Sequence, residues 1–109
     1  MARIAEPRIA QAYLPLQART HLGIDSAIGA AVVVANGIAV TNAYNANLVD
    51  PKSVIGVRRD YDLMFFRTSR GQPLKPAPVE VGGAVIAYGQ GGGGDLRVAH
   101  GVVREILRC

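Results

Sequence analysis

The chain has 109 residues, a mass of 11.5 kDa and a net charge of +4, with 50% hydrophobic and 18% charged residues. That length suits one domain burying about 65% of its unfolded surface, and the composition is that of a folded chain rather than a disordered one. No apolar run approaches the roughly 18 residues of a membrane-spanning helix, and ten arginines scattered along the chain with only 6% aromatics argue against nucleic-acid binding, which concentrates cations and interleaves rings.

The opening MARIAEPRIAQAYLPLQ has no uninterrupted apolar core of a signal peptide, so a cytoplasmic location is the default expectation. Glu6 and Pro7 open a short helix through about Tyr13, because a proline at the first helical position loses no hydrogen bond. Residues 14–22 read as a first strand, which Pro15 confines to a sheet edge. AIGAAVVVANGIAVTNA, residues 27–43, is two β-rich runs joined by Asn36-Gly37. Both residues tolerate positive φ, so a type I′ hairpin is expected, with Val32, Val33, Val34, Ile38 and Val40 buried on both faces or nearly so. NANLVDPKS reads as a loop or as one helical turn closed by Asp50-Pro51.

Two more strands, Val54–Arg58 and Leu63–Thr68, flank the charged RRDYD. SRGQPLKPAPVEVGG holds three of the six prolines and reads as an extended surface connector. AVIAYG is a strand, QGGGGD a turn, and Leu96–Ile106 the last strand, with Leu96, Val98, His100 and Val102 alternating against Arg97, Ala99 and Gly101. Six or seven short strands with little helix predict a mostly β fold, a small barrel or sandwich.

GAAVVVANGIAVTNAY, DYDLMFFR and VGGAVIAYGQGGGGDLRVAHGVV, in that order, resemble the trypsin-fold (chymotrypsin-like) serine peptidases, closest to their HtrA-like bacterial branch. The likeness runs from about Ala27 to Ile106. It implies a trypsin-like antiparallel β-barrel. Residues 14–68 would be first-barrel strands, 69–83 the inter-barrel connector, and 84–106 the opening hairpin of a second barrel, in a single truncated domain spanning 1–109. Thr41, Asn42 and Ala43 match the run before the family's catalytic histidine. Tyr44 occupies the histidine position, and Asp62 matches the aspartate that orients it.

The serine motif would follow the last strand, beyond Cys109. In the triad, histidine takes the serine proton and later returns it to the leaving group. A phenol, titrating near about 10, is a poor base at neutral pH. The expectation is therefore a degenerate site with no intact catalytic residue, in which Tyr44 and Asp62 keep a phenol–carboxylate hydrogen bond. The implied role is that of a non-catalytic peptidase homologue acting in binding or assembly. Two alternatives stand beside it: a fragment or subunit of an active HtrA-like endopeptidase with its serine supplied elsewhere, and a small basic nucleic-acid-binding β-domain. An incomplete second barrel implies a homo-oligomer, foremost a symmetric dimer, or a protein partner that completes it.

The other signals are weaker. Ser26, in IDSAIG, lies before the hairpin and lacks the paired glycines of a nucleophile motif. His21 and His100 stand at no matching position, the first on the surface and the second on a strand face. Cys109 is a lone thiol that can form no internal disulfide. GQGGGG, residues 89–94, fits G-x-G-x-x-G, but a dinucleotide loop needs a helix next and DLRVAHGVV is β-branched; no cofactor is expected. Asp60 and Asp62 would share a strand face, yet Arg58 and Arg59 favour ion pairing over a metal site.

Overall fold

The computed structural model describes residues 4–19, 25–90 and 95–108. A short helix α1 (Pro7–Ala12) leads into β1 (Tyr13–Arg19), β2 (Asp25–Ala35) and β3 (Ile38–Asn42). Two 3-10 turns, Ala43–Leu48 and Pro51–Ser53, precede β4 (Val54–Arg58). A third, Arg59–Tyr61, turns the chain into β5 (Leu63–Arg67). The connector carries no regular structure before β6 (Ala84–Gln90) and β7 (Leu96–Val102). The first five strands form one antiparallel sheet in the order β1-β2-β3-β5-β4, and β6 and β7 form a second, two-stranded sheet. The fold is thus mostly β, as expected. β1 and β4 end the larger sheet, and among the described residues no pairing joins them.

The α1 start follows from its caps: the Glu6 carboxylate accepts from the Arg8 N–H at 3.2 Å, and Pro7 fills the first turn. Pro15 sits in β1 opposite Ala30, and β1 is an edge strand, where a missing N–H is tolerated. The β2–β3 turn is not type I′. Of its two central residues only Gly37 takes positive φ (78°), and the register shifts between Val33 and Ala35, so a bulge supplies the twist.

One face of the sheet makes the core. Leu14 and Leu16, Ala31 and Val33, Ala39, and Met64 and Phe66 are buried at alternate positions on four strands, with Ala12 and Val49 closing the ends. Registers Leu14↔Ala31, Val33↔Ala39 and Ala39↔Phe66 bring these side chains together across the ladder. The other face is not buried: Ile28 is exposed, Val34 is 38% exposed, and Val32, Ile38 and Val40 are half-buried. The expectation of burial on both faces is therefore corrected. The larger sheet has a single packed side, as antiparallel sheets commonly do.

The connector is tied down at its start. Gln72 N–H donates to the Gln11 carbonyl (2.8 Å) and Leu74 N–H to the Val33 carbonyl (3.1 Å), while Leu74 packs on the core. Gly71 permits this approach. Its φ is +79°, and a Cβ there would lie 2.7 Å from the Gln11 carbonyl oxygen and 2.9 Å from Val33 Cγ2. β7 ends at Val102, four residues short of its expected end at Ile106, although Val103 still donates to Gly83 and accepts from Gly82. The hairpin reaches the larger sheet through β6, which packs on β2, and Gln90 Nε2 donates to the Tyr13 hydroxyl at 2.7 Å.

Candidate functional site

Thr41, Asn42, Ala43 and Tyr44 lie where β3 turns into a 3-10 helix. Such a helix begins with N–H groups that have no internal partner. Asp62 supplies acceptors from across the sheet. It is the one described non-glycine residue with positive φ (54°), a conformation that aspartate tolerates better than most. Its carbonyl accepts from Ala43 N–H (3.0 Å) and Asn42 Nδ2 (3.2 Å), and its Oδ1 accepts from Tyr44 N–H (3.1 Å).

Positions 44 and 62 therefore do adjoin, but not through the expected phenol–carboxylate bond. Among the described residues no hydrogen bond joins the phenol to the carboxylate. The carboxylate caps the main chain, and the Tyr44 side chain, 73% exposed, turns outward. The physical reason is that an unpartnered backbone N–H at a helix start is a fixed donor within reach, whereas an exposed phenol is satisfied by water.

Beneath the turn lies a buried polar relay. Asn45 Nδ2 donates to Thr41 Oγ1 (3.1 Å), which donates to the Ala30 carbonyl (2.7 Å). Both side chains are buried, and Gly29 makes the room: a Cβ there would stand 3.1–3.2 Å from three Asn45 atoms. The relay fixes the turn that presents Tyr44 to the outer face of the sheet.

There a cleft of about 450 Å³ opens between the outer face and the end of β6. Ile28, Val32, Val40 and Leu63 contribute apolar lining, and Tyr13, Tyr44, Tyr88 and Gln90 contribute polar groups. No Asp, Glu, Lys, Arg or His is among the described lining residues, nor any Ser or Cys. Burial holds the Tyr13 phenol above its ordinary value, the Gln90 hydrogen bond opposing that shift. The cleft has hydrogen-bonding phenols and amides on apolar walls, a surface suited to binding and poor in acid–base groups.

Asp60 and Asp62 do not share a strand face, which corrects the earlier expectation. Asp60 lies in the 3-10 turn and takes a bidentate contact from Arg58 (Nη2–Oδ2 3.0 Å, Nε–Oδ1 3.2 Å), while Asp62 caps Tyr44. The Arg58 contact lowers the Asp60 pKa, and the same guanidinium lies 4.8 Å from the centroid of the Tyr61 ring. Among the described residues no group of three His, Cys, Asp or Glu could hold a metal ion. His100 is exposed on β7, away from the cleft lining. Ser26 pairs with Ala18 in the β1–β2 ladder, and its side chain, like His21, Gly91–Gly94 and Cys109, lies outside the described residues.

Tyr13, Tyr88 and Gln90 were not singled out from the sequence as site residues. The parity of Tyr88 and Gln90 on β6 puts them on one strand face, but their meeting with Tyr13 needs the packing of two separate sheets. No protein-family model, curated protein or solved structure matches the chain.

Proposed function

We propose that this chain is a non-catalytic relative of the trypsin-fold peptidases, built from a first-barrel sheet and the opening hairpin of a second barrel, and that it works as a binding or assembly module. One observation carries the reading. The two positions that the resemblance pairs, 44 and 62, adjoin through the Tyr44 N–H and Asp62 Oδ1 at 3.1 Å beside an open cleft, and the side chain at 44 is a phenol. An imidazole there would serve as base and then acid at neutral pH; a phenol does not. Asp62 retains a structural task, capping the turn, so its presence needs no chemistry to explain it. The reading rests on the residue at 44 and not on where the chain ends.

The test is peptidase chemistry on the whole chain. Incubation with a fluorophosphonate probe and with casein at high protein concentration is expected to give neither labelling nor cleavage. Tyr44→His is expected to stay inactive. Labelling that disappears on mutating one particular serine would sink the proposal and favour an active peptidase subunit.

A further inference from the structure

Proline fixes its own φ near about −65° and steers the residue before it to extended backbone. Every one of residues 72–78 except Leu74 is a proline or precedes one. Leu74 is held instead by its N–H bond to the Val33 carbonyl (3.1 Å) and by packing on the core. The stretch is therefore a stiff extended ridge, and no helix or strand forms between β5 and β6.

An extended proline-rich chain repeats every three residues. Leu74 occupies the inward edge. Pro73 and Pro76 share a second edge, about 9 Å apart along such a chain, and Gln72, Lys75 and Pro78 share the third. All five of these residues are exposed. Among the described residues, no hydrogen bond reaches the carbonyls of 72–78, and Lys75 has no ion pair. Ridges of this form dock in grooves walled by aromatic side chains, and their ordering cost is small because the prolines fix them beforehand.

The opposite face of the molecule has a groove of that kind. The cleft sets Tyr13, Tyr44 and Tyr88 on apolar walls, with the amide side chains of Asn42 and Gln90 among them. Asp62 borders it, next to Leu63 and bonded to the Tyr44 N–H through Oδ1. Among the described residues Asp62 has no ion pair. The charges are complementary, since residues 63–79 include Arg67, Arg70 and Lys75 and no carboxylate. The ridge does not reach its own cleft: Leu74 seats it on the core side of the larger sheet, and the cleft lies on the outer face.

We infer that residues 72–78 of one copy of this chain dock in the tyrosine-walled cleft of a second copy, with Lys75 facing Asp62. The contact gives the binding role above a partner; it rests on that reading for the role alone, and on the ridge and the cleft for the surfaces. Because the two surfaces lie on opposite faces, the contact is head-to-tail. Each added copy keeps a free ridge or a free cleft, so association continues beyond two chains.

Light scattering over a concentration series is expected to give a mass that rises past twice the 11.5 kDa of one chain. Two variants each disable one half of the contact. Pro73→Ala with Pro76→Ala removes the rings from the exposed ridge. Tyr44→Ala with Asp62→Asn removes a phenol and a charge from the cleft, while the asparagine oxygen still accepts from the N–H at position 44. Both are expected to keep the native circular dichroism and to run alone as monomers. Mixed, they should form a complex of one copy of each and stop there, because only one intact ridge and one intact cleft remain. Lys75→Glu is expected to weaken association at least about tenfold. Arg104→Glu, which removes an exposed cation outside the ridge, should leave it unchanged.

A native chain that stays monomeric at high concentration overturns the inference. So does association that survives either double variant, or a mixture of the two that forms no one-to-one complex. Equal effects of Lys75→Glu and Arg104→Glu overturn the Lys75–Asp62 contact. Peptidase activity would sink the non-catalytic reading and leave the docking contact standing, so the two failures are distinguishable.

Discussion

The larger sheet and the hairpin are built from similar residues and end in opposite circumstances. β2 and β3 carry valine, isoleucine and alanine, as do β6 and β7. Yet Val33 is 1% exposed and Val102 is 60% exposed. The difference lies in what covers them. Five strands, α1 and the Ala43–Leu48 turn converge on one face of the larger sheet, whereas the hairpin has two strands and contacts the rest chiefly at its Gln90 end. Apolar composition licenses burial, but only enough neighbours in three dimensions deliver it.

The widest separation between the two regions is expected in their cores. Met64→Ala removes a fully buried side chain and should cost about 2–5 kcal/mol in urea denaturation. Val85→Ala, at a hairpin position already 47% exposed, should change stability by no more than about 0.5 kcal/mol. A comparable loss at both sites would mean the hairpin packs as tightly as the sheet.

The two ends of the connector sharpen the same contrast. Gly71 and Gly82 both take positive φ, but a Cβ at Gly71 meets the Gln11 carbonyl and Val33, while one at Gly82 meets nothing within 4 Å. Gly71→Ala should therefore cost about 1–3 kcal/mol, and Gly82→Ala only about 1 kcal/mol, from its φ alone. Next in size is the cap on the candidate site. Asp62→Ala leaves the Tyr44 N–H without its carboxylate and should cost about 1 kcal/mol, with faster amide exchange at Tyr44 as the local readout.

The contact between the regions titrates in alkali. The Tyr13 pKa is raised in the folded chain by burial. The stability it contributes is fully present below the phenol's ordinary value of 10.0 and is lost as pH rises through the higher folded value. Near-ultraviolet circular dichroism should show the hairpin releasing at high pH, a step that Tyr13→Phe removes. The smallest effect is at acid pH. The Asp60 pKa is lowered by Arg58. Its contribution is present above the ordinary 3.8 and fades as pH falls through the lower folded value. This pair is exposed, so added salt should erase the difference between the native chain and Asp60→Asn.

Much of this architecture is written locally. Pro7, Pro15, Asn36-Gly37 and Asp50-Pro51 each restrict the backbone within a few residues, and helix start, edge strand and turns fall where those restrictions put them. The β-branched runs become strands for the same reason. The site is only half legible in this way. That positions 44 and 62 adjoin is an expectation from a resemblance, and in the structure they meet through the Tyr44 N–H and Asp62 Oδ1. That Asp62 meets a main-chain N–H instead of a phenol does not follow from the resemblance, because it depends on the left-handed turn at Asp62 and on which donor lies nearest once β3 and β5 pair.

Chain order and residue chemistry alone thus specify a mostly β chain and the limits of most strands. Tertiary packing determines which face of the sheet is buried and the cleft that gathers Tyr13, Tyr44 and Tyr88. Backbone restriction acts over a few residues and can be read along the chain. Burial and hydrogen-bond pairing are settled between segments distant in sequence, and no local pattern encodes which of them meet.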